Sequence, residues 1–472
     1  MREARLFIGE RWCDGVSTQA VYDKYSGTPL ANVHSASRDQ VGMATSAVAQ
    51  AQASIGLSPY DRYVILAKAS ELLASRHDDF VDTMVAEAGF TRAEAAGEVA
   101  RGVQTLLLSG EEAKRIHGEM VPIDGAPNVV GRWAFTVRYP LGVVCAIAPF
   151  NSPLNTTLHK VAPALAAGNS VVLKPSSYTP LTAMLVVELL LDAGLPSGLI
   201  SLVHGSGSLV GTWLLEDPIP SFYAFTGSTE TGLVIQRTIG LRRVQLELGS
   251  LASTIICEDA DVQAATGRCV SAAFRKAGQI CTSVQRLYVH RDVLDEFVAL
   301  LKEALDGKHA GDPRASQSYI GPLISSDDAD RVYSWITGAT ESGAEVLVGG
   351  ERSGSLIEPT VLVNTTSSMK VMCAEIFGPV MSIRPFTDLH AALDEVNDTP
   401  YGLAAGIFTR SIKHGVDAAN RLRVGSVHIN ETSNGRVDMA PYTGVKHSGI
   451  GREGPRYAIE EMTEERLVTV RW

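Results

Sequence analysis

Between Arg38 and Ile116 the apolar positions recur every three to four residues, as in Val64, Leu66, Ala67, Ala69, Leu72 and Leu73. That spacing puts them on one face of a helix, so the stretch predicts several amphipathic helices. From Leu141 to Ile256 the texture changes: β-rich runs at 143–147, 170–173, 200–203, 221–226 and 254–257 alternate with helical segments such as 183–193. The alternation predicts a parallel sheet of the doubly wound class, because parallel neighbours need a crossover helix. A second alternation follows Cys281, with strands at 287–289 and 380–383 and a helix at 294–305. The polar stretch 122–132 leads into a β run at 134–139, and 467–470 forms another; neither has a place in the two sheets. At 472 residues the chain is long enough for about three domain-sized pieces. No internal repeat or low-complexity segment interrupts it.

Composition narrows the class. Hydrophobic residues make up 45% and charged residues 20%, as in globular proteins, and the net charge of −11 argues against nucleic acid as a partner. The opening Met1, Arg2, Glu3, Ala4, Arg5 lacks a secretory pattern, and the apolar run at 185–191 is short and interrupted by Glu188. These features predict a cytoplasmic protein without a membrane partner. Six cysteines, at 13, 145, 257, 269, 281 and 373, lack the close paired spacing of a zinc or redox site, so no metal is indicated. Cys145 and Cys257 lie within apolar runs and read as small buried hydrophobes.

Cys281 differs. It follows Lys276, Ala277, Gly278, Gln279 and Ile280, a small glycine-containing turn after a helix-like segment, where a thiol can reach a ligand. Upstream lie Glu247, within Leu246, Glu247, Leu248, Gly249, and Asn151, between Phe150 and Ser152. Nucleophile, base and amide donor are the minimum set for attack on a carbonyl carbon. Taken singly, Glu247 reads as a salt-bridging residue at a strand end and Asn151 as a turn former. Two glycine-containing segments, 204–211 with Gly207 and Gly211, and 225–232 with Phe225, Thr226, Gly227 and Ser228, follow predicted strands. Such junctions offer backbone N–H groups to a phosphate, although turn packing alone also favours glycine there.

The ordered set resembles the aldehyde dehydrogenase superfamily, from Phe7, Ile8, Gly9, Glu10, Arg11, Trp12 to the last strand. The resemblance implies an α/β fold of two doubly wound parallel-sheet domains plus a small β oligomerisation element. Residues 1–121 and 141–249 would form a Rossmann-like dinucleotide-binding domain, and 250–455 the domain of the nucleophilic cysteine. Residues 122–140 and 456–472 would be a hairpin and arm that pair across a homodimer or dimer of dimers; edge strands within one subunit are the alternative. It further implies that Lys174 reaches the adenosine ribose, Ser228 the pyrophosphate and Glu375 the nicotinamide ribose, with Phe377 beside it and Gly249 in the turn after the base. At 177, serine stands where many NAD-preferring relatives carry glutamate. Losing that repulsion toward a 2′-phosphate points to NADP, or to dual use with NAD.

On this reading Cys281 forms a thiohemiacetal with an aldehyde, Asn151 and the Cys281 N–H steady its oxyanion, and Glu247 activates water to hydrolyse the thioester left after hydride transfer. One such oxyanion donor commonly contributes on the order of 3 kcal/mol. Ser250 replaces a second glycine usual after Glu-Leu-Gly. Retention of Glu247 favours water over coenzyme A as acceptor; a coenzyme A-acylating enzyme and a non-catalytic dinucleotide-binding relative are the alternatives. Helical spacing places Asn155, Thr156 and His159 on the entry channel, and Arg436 and Tyr442 lie in the loop matching its far wall. Arg436, with Arg101, is read as a fork for an anion, the alternatives being an ion pair with Asp438 or a solvated loop charge; for His159 the alternative is a hydrogen-bonded core residue. The loop resembles the branch of lactaldehyde, phosphonoacetaldehyde and non-phosphorylating glyceraldehyde-3-phosphate dehydrogenases. Ile280, where phosphate-using relatives often have arginine, favours lactaldehyde-like or monoanionic semialdehyde substrates such as succinate semialdehyde.

Overall fold

The computed structural model describes residues 2–472; Met1, the first residue of the expected dinucleotide-binding segment, lies outside them. The helical opening consists of Arg38–Ser54, Pro59–Ser75, His77–Ala88 and Arg92–Ala113. Three start at side-chain caps. Ser37, Ser58 and Thr91 accept the N–H of Gln40, Asp61 and Glu94, whose side chains bond back to the cap N–H.

An eight-stranded sheet forms the first layer, in the order Gly449–Ile450, Arg243–Glu247, Phe222–Thr226, Val143–Ile147, Ser170–Lys174, Ile200–Leu202, Leu6–Ile8, Arg11–Cys13. The five strands from Arg243–Glu247 to Ile200–Leu202 run parallel, while Gly449–Ile450 at one side and Leu6–Ile8 with Arg11–Cys13 at the other pair antiparallel. A seven-stranded sheet follows, in the order Glu345–Val348, Thr360–Val363, Val380–Phe386, Arg286–His290, Ser253–Ile256, Ala404–Phe408, Ser426–Ile429, antiparallel only at its first edge. Aliphatic residues of the inner strands are buried, as expected for strands covered on both faces.

Three features depart from the sequence expectation. The run at 254–257, grouped there with the first alternation, is an inner strand of the second sheet, bonded on both sides. Gly449 and Ile450 leave the second unit and close the edge of the first sheet beside Leu246 and Glu247. Residues 2–4, 17–22 and 29–35 form a small sheet of their own. The runs at 134–139 and 467–470 find each other: Arg132–Pro140 and Thr463–Arg471 pair antiparallel over nine residues, with Met120–Val121 on the other side. Among the described residues, no helix is long and apolar enough to cross a membrane.

Candidate active site

Cys281 follows a backbone turn that few sequences tolerate. After the helix Val262–Phe274, Lys276, Ala277 and Gly278 adopt φ of 54°, 52° and 69° in succession. Only at Gly278 does the left-handed turn also lack room for a side chain, since a Cβ would run into the Gly378 carbonyl. The strained Lys276 is held from several sides. Its ammonium pairs with buried Glu98 and donates to the Asn151 carbonyl at 2.9 Å, and its N–H donates to Glu94. Asn151 follows the strand Val143–Ile147, and its amide donates to the Gln279 carbonyl at 2.8 Å, which fixes the plane of the carboxamide. Glu247 ends the strand Arg243–Glu247, with only 3% of its surface exposed.

Cys281, Glu247 and Asn151 line one cavity of about 130 Å³, together with Thr156, Arg101, Arg436 and Tyr442. Burial pushes the Cys281 thiol up to about 12, partly offset by the Tyr442 hydroxyl 3.2 Å from Sγ. Among the described residues neither Glu247 oxygen has a hydrogen-bond partner; burial, then the charge of Glu453, raises its carboxyl well above the usual range. Cys373 is exposed and outside this cavity, while Cys145, Cys257 and Cys269 are buried, with pKa values raised by burial to about 12 or above.

Arg436 and Arg101 reach the cavity with their forks already engaged. Arg436 donates to Glu453 at 2.8 Å and lies 4.0 Å over the Tyr442 ring, so its carboxylate partner is Glu453 rather than Asp438. Asp438 instead takes both donors of Arg101, at 2.6 and 3.0 Å. His159 requires a correction. Every residue of its helix, Asn155–Ala166, is buried, so helical spacing leaves no open face, and the ring is turned to Asp438 with Nε2 at 2.9 Å from Oδ1. Asn155 also bonds Asp438, so of the three expected channel residues only Thr156 lines the cavity.

Several residues given no role from the sequence prove central to this arrangement. Lys160, fully buried, donates to Glu453 at 2.9 Å and to Thr226 Oγ1 at 2.7 Å. Against the cost of burial, Lys160 and Arg436 hold Glu453 ionised, well below the usual carboxylate range. A signal was present: a lysine within a wholly buried helix demands a carboxylate, and that helix supplies none. Lys160→Met leaves the buried Glu453 with Arg436 as its one cationic partner among the described residues and is expected to lower stability by about 3 kcal/mol, read as a lower urea midpoint; an unchanged midpoint would show that the Lys160 pair is dispensable. Arg275, also unremarked in the sequence, lines the cavity, and among the described residues no carboxylate pairs with it; its one bond is to Asn434 Oδ1 at 3.4 Å.

The expected cofactor residues lie near the ends of the first sheet's strands. Lys174, 4% exposed, bonds only the Pro175 carbonyl, and burial lowers its pKa to about 8. Ser177 is exposed beside a small cavity reaching Gly205. Gly207 and Gly211 bound a single wide helical turn capped by Ser206. Thr226 accepts from Lys160, Phe225 packs below Gly227, and Ser228 caps the helix Thr229–Thr238. At Gly249 a Cβ would lie 2.8 Å from Glu375 Oε2. Glu375 accepts the Ser250 N–H at 3.0 Å, and burial raises its carboxyl to about 7. Phe377 has φ of 49° and meets Phe150 edge-on. The Lys174 ammonium, the helix start at Ser228 and the Glu375 carboxyl beside Gly249 fit the phosphates and ribose hydroxyls of a dinucleotide.

A thiol, a carboxyl and an oriented carboxamide around one cavity, beside strand ends suited to a dinucleotide, define an enzyme equipped for carbonyl chemistry. The aldehyde dehydrogenase family model matches residues 12–468, and the chain belongs to that family of oxidoreductases acting on aldehydes. It is 43% identical over 470 residues to a 3-sulfolactaldehyde dehydrogenase of Priestia megaterium, covering 100% of this chain and 98% of that one. It is 34% identical over 470 residues to a lactaldehyde dehydrogenase of Methanococcus maripaludis, covering 98% and 99%. An NADP-dependent glyceraldehyde-3-phosphate dehydrogenase from Bacillus halodurans, solved with NADP, superposes with a TM-score of 0.97 at 34% identity, over 100% of both chains.

Proposed function

We propose that the protein oxidises a small aldehyde with a polar or monoanionic distal group to its carboxylic acid, using NADP or both NADP and NAD. The observation that carries this reading is the shared cavity of Cys281, Glu247 and Asn151. The Cys281 thiol gives its proton to solvent, the thiolate attacks the carbonyl carbon so that the S–C bond forms as the C=O π pair moves onto oxygen, and that oxyanion accepts a hydrogen bond from the Asn151 amide. A bound nicotinamide supplies the acceptor for the hydride. Glu247 then takes a proton from water, the hydroxide adds to the thioester, and the acid leaves as the thiol is restored. Glu247 also favours water over coenzyme A as acceptor.

Support for an anionic group comes from Arg275 at the cavity wall. Arg101, Arg436 and Lys276 have carboxylate partners; Arg275 has none among the described residues, so a distal sulfonate or carboxylate would complete it. The relatives that act on sulfolactaldehyde and lactaldehyde agree with a short polar chain. The test crosses NADP and NAD with lactaldehyde, 3-sulfolactaldehyde, succinate semialdehyde, phosphonoacetaldehyde, glyceraldehyde 3-phosphate and propanal, without coenzyme A. Arg275→Gln is expected to lower kcat/KM for the preferred charged aldehyde about ten- to a hundredfold and leave propanal unchanged; equal losses on both would defeat the anion assignment.

On the same reading the first sheet, including Gly449–Ile450, holds the dinucleotide, and the second presents the cysteine. The strand Thr463–Arg471 lies at a sheet edge with Leu467, Val470 and Trp472 exposed, which supports pairing with a second copy as a homodimer or dimer of dimers. Six unpaired cysteines support a reducing cytoplasmic setting.

A further inference from the structure

The Tyr442 hydroxyl approaches the Cys281 sulfur at 3.2 Å, and two devices fix the ring that carries it. Along the backbone, Tyr442 and Glu453 exchange both hydrogen bonds, at 3.1 and 2.7 Å. Across the ring face, the Arg436 guanidinium stands 4.0 Å from the centroid, anchored by the carboxylate of the same Glu453, which Lys160 neutralises from behind. One residue thus places the phenol through its backbone and the cation over the phenol through its side chain.

We propose that the Tyr442 hydroxyl is the hydrogen-bond donor that sustains the Cys281 thiolate, with Arg436, Glu453 and Lys160 as positioning residues behind it. The inference rests on Cys281 being the nucleophile. When the S–H bond breaks, the proton passes to solvent and the electron pair stays on sulfur; from then on only the phenol can donate, and its O–H stays intact. A cation over the ring face polarises the phenol and strengthens that donation. Once sulfur bonds to carbon it becomes a weak acceptor, and the hydroxyl is released.

The charges facing the sulfur agree. Burial is the main force against ionisation; Tyr442 is the largest influence favouring it, Arg436 assists, and Glu375 and Glu247 oppose. Tyr442 keeps its own proton, because burial and then Cys281 raise its pKa well above the ordinary value.

The test is the rate of Cys281 alkylation by iodoacetamide as a function of pH, in the absence of dinucleotide, with the labelled peptide identified by mass. In Tyr442→Phe the midpoint is expected to rise by about one unit. The rate at neutral pH should fall only about threefold, because a more basic thiolate is intrinsically more reactive. Arg436→Gln should move the midpoint the same way by less. Dinucleotide binding and urea unfolding report whether each variant is folded; should the phenylalanine variant fail to fold, the glutamine variant decides. An unmoved midpoint in the folded variant overturns the inference. If instead labelling Cys281 leaves aldehyde oxidation intact, the nucleophile reading itself falls, and the two failures are told apart.

Discussion

A Cys281→Ser enzyme is expected to bind dinucleotide as the parent does and to lose aldehyde oxidation by at least about a thousandfold. Serine preserves the size of the side chain and the turn through Lys276, Ala277 and Gly278, so the loss would report chemistry rather than folding. Its hydroxyl ionises far less readily than a thiol, so far less of the attacking anion forms at the same pH. Steady-state formation of reduced dinucleotide, with binding followed by fluorescence, provides the measurement. Activity within tenfold of the parent would mean that no bond to residue 281 is needed.

Glu247→Gln separates the two halves of the reaction. The amide cannot take a proton from water, so the variant should release about one equivalent of reduced dinucleotide per site in a burst and then turn over about 10²–10⁴-fold more slowly. Intact-protein mass should show the acyl group on Cys281. In the parent, the post-burst rate should rise with pH through the Glu247 midpoint, because only the carboxylate is a base. That midpoint lies above the ordinary carboxylate range, since burial and Glu453 both disfavour the charge. The glutamine variant should lack this limb. Absence of a burst would place Glu247 before hydride transfer instead of after it.

How much of this could be read from the chain depends on range. The strand at Val143–Ile147 and the helices between Arg38 and Ala113 emerge from local periodicity, because each buries a face that the spacing of its own residues defines. Cys281, Glu247 and Asn151 stood out by residue type and order, and the fold gathers them. His159 was misplaced because helical spacing tells which residues share a face but not whether that face is open; here the helix is covered on all sides. The membership of 254–257 in the second sheet depends on its pairing with Arg286–His290 on one side and Ala404–Phe408 on the other, which its own local pattern does not record. The pairings of Arg436 with Glu453 and of Lys160 with Glu453 are likewise long-range choices among several carboxylates, decided by packing.

The two-residue strand Gly449–Ile450 ties the fold to the reaction in one further way. It leaves the cysteine-bearing unit to hydrogen-bond beside Leu246 and Glu247, three residues before Glu453. Glu247, the base of the proposed reaction, is therefore paired to a segment that also carries Glu453, the charged support behind Tyr442. Under the proposed function, a displacement of this short strand is expected to move Glu247 and the support of Tyr442 together.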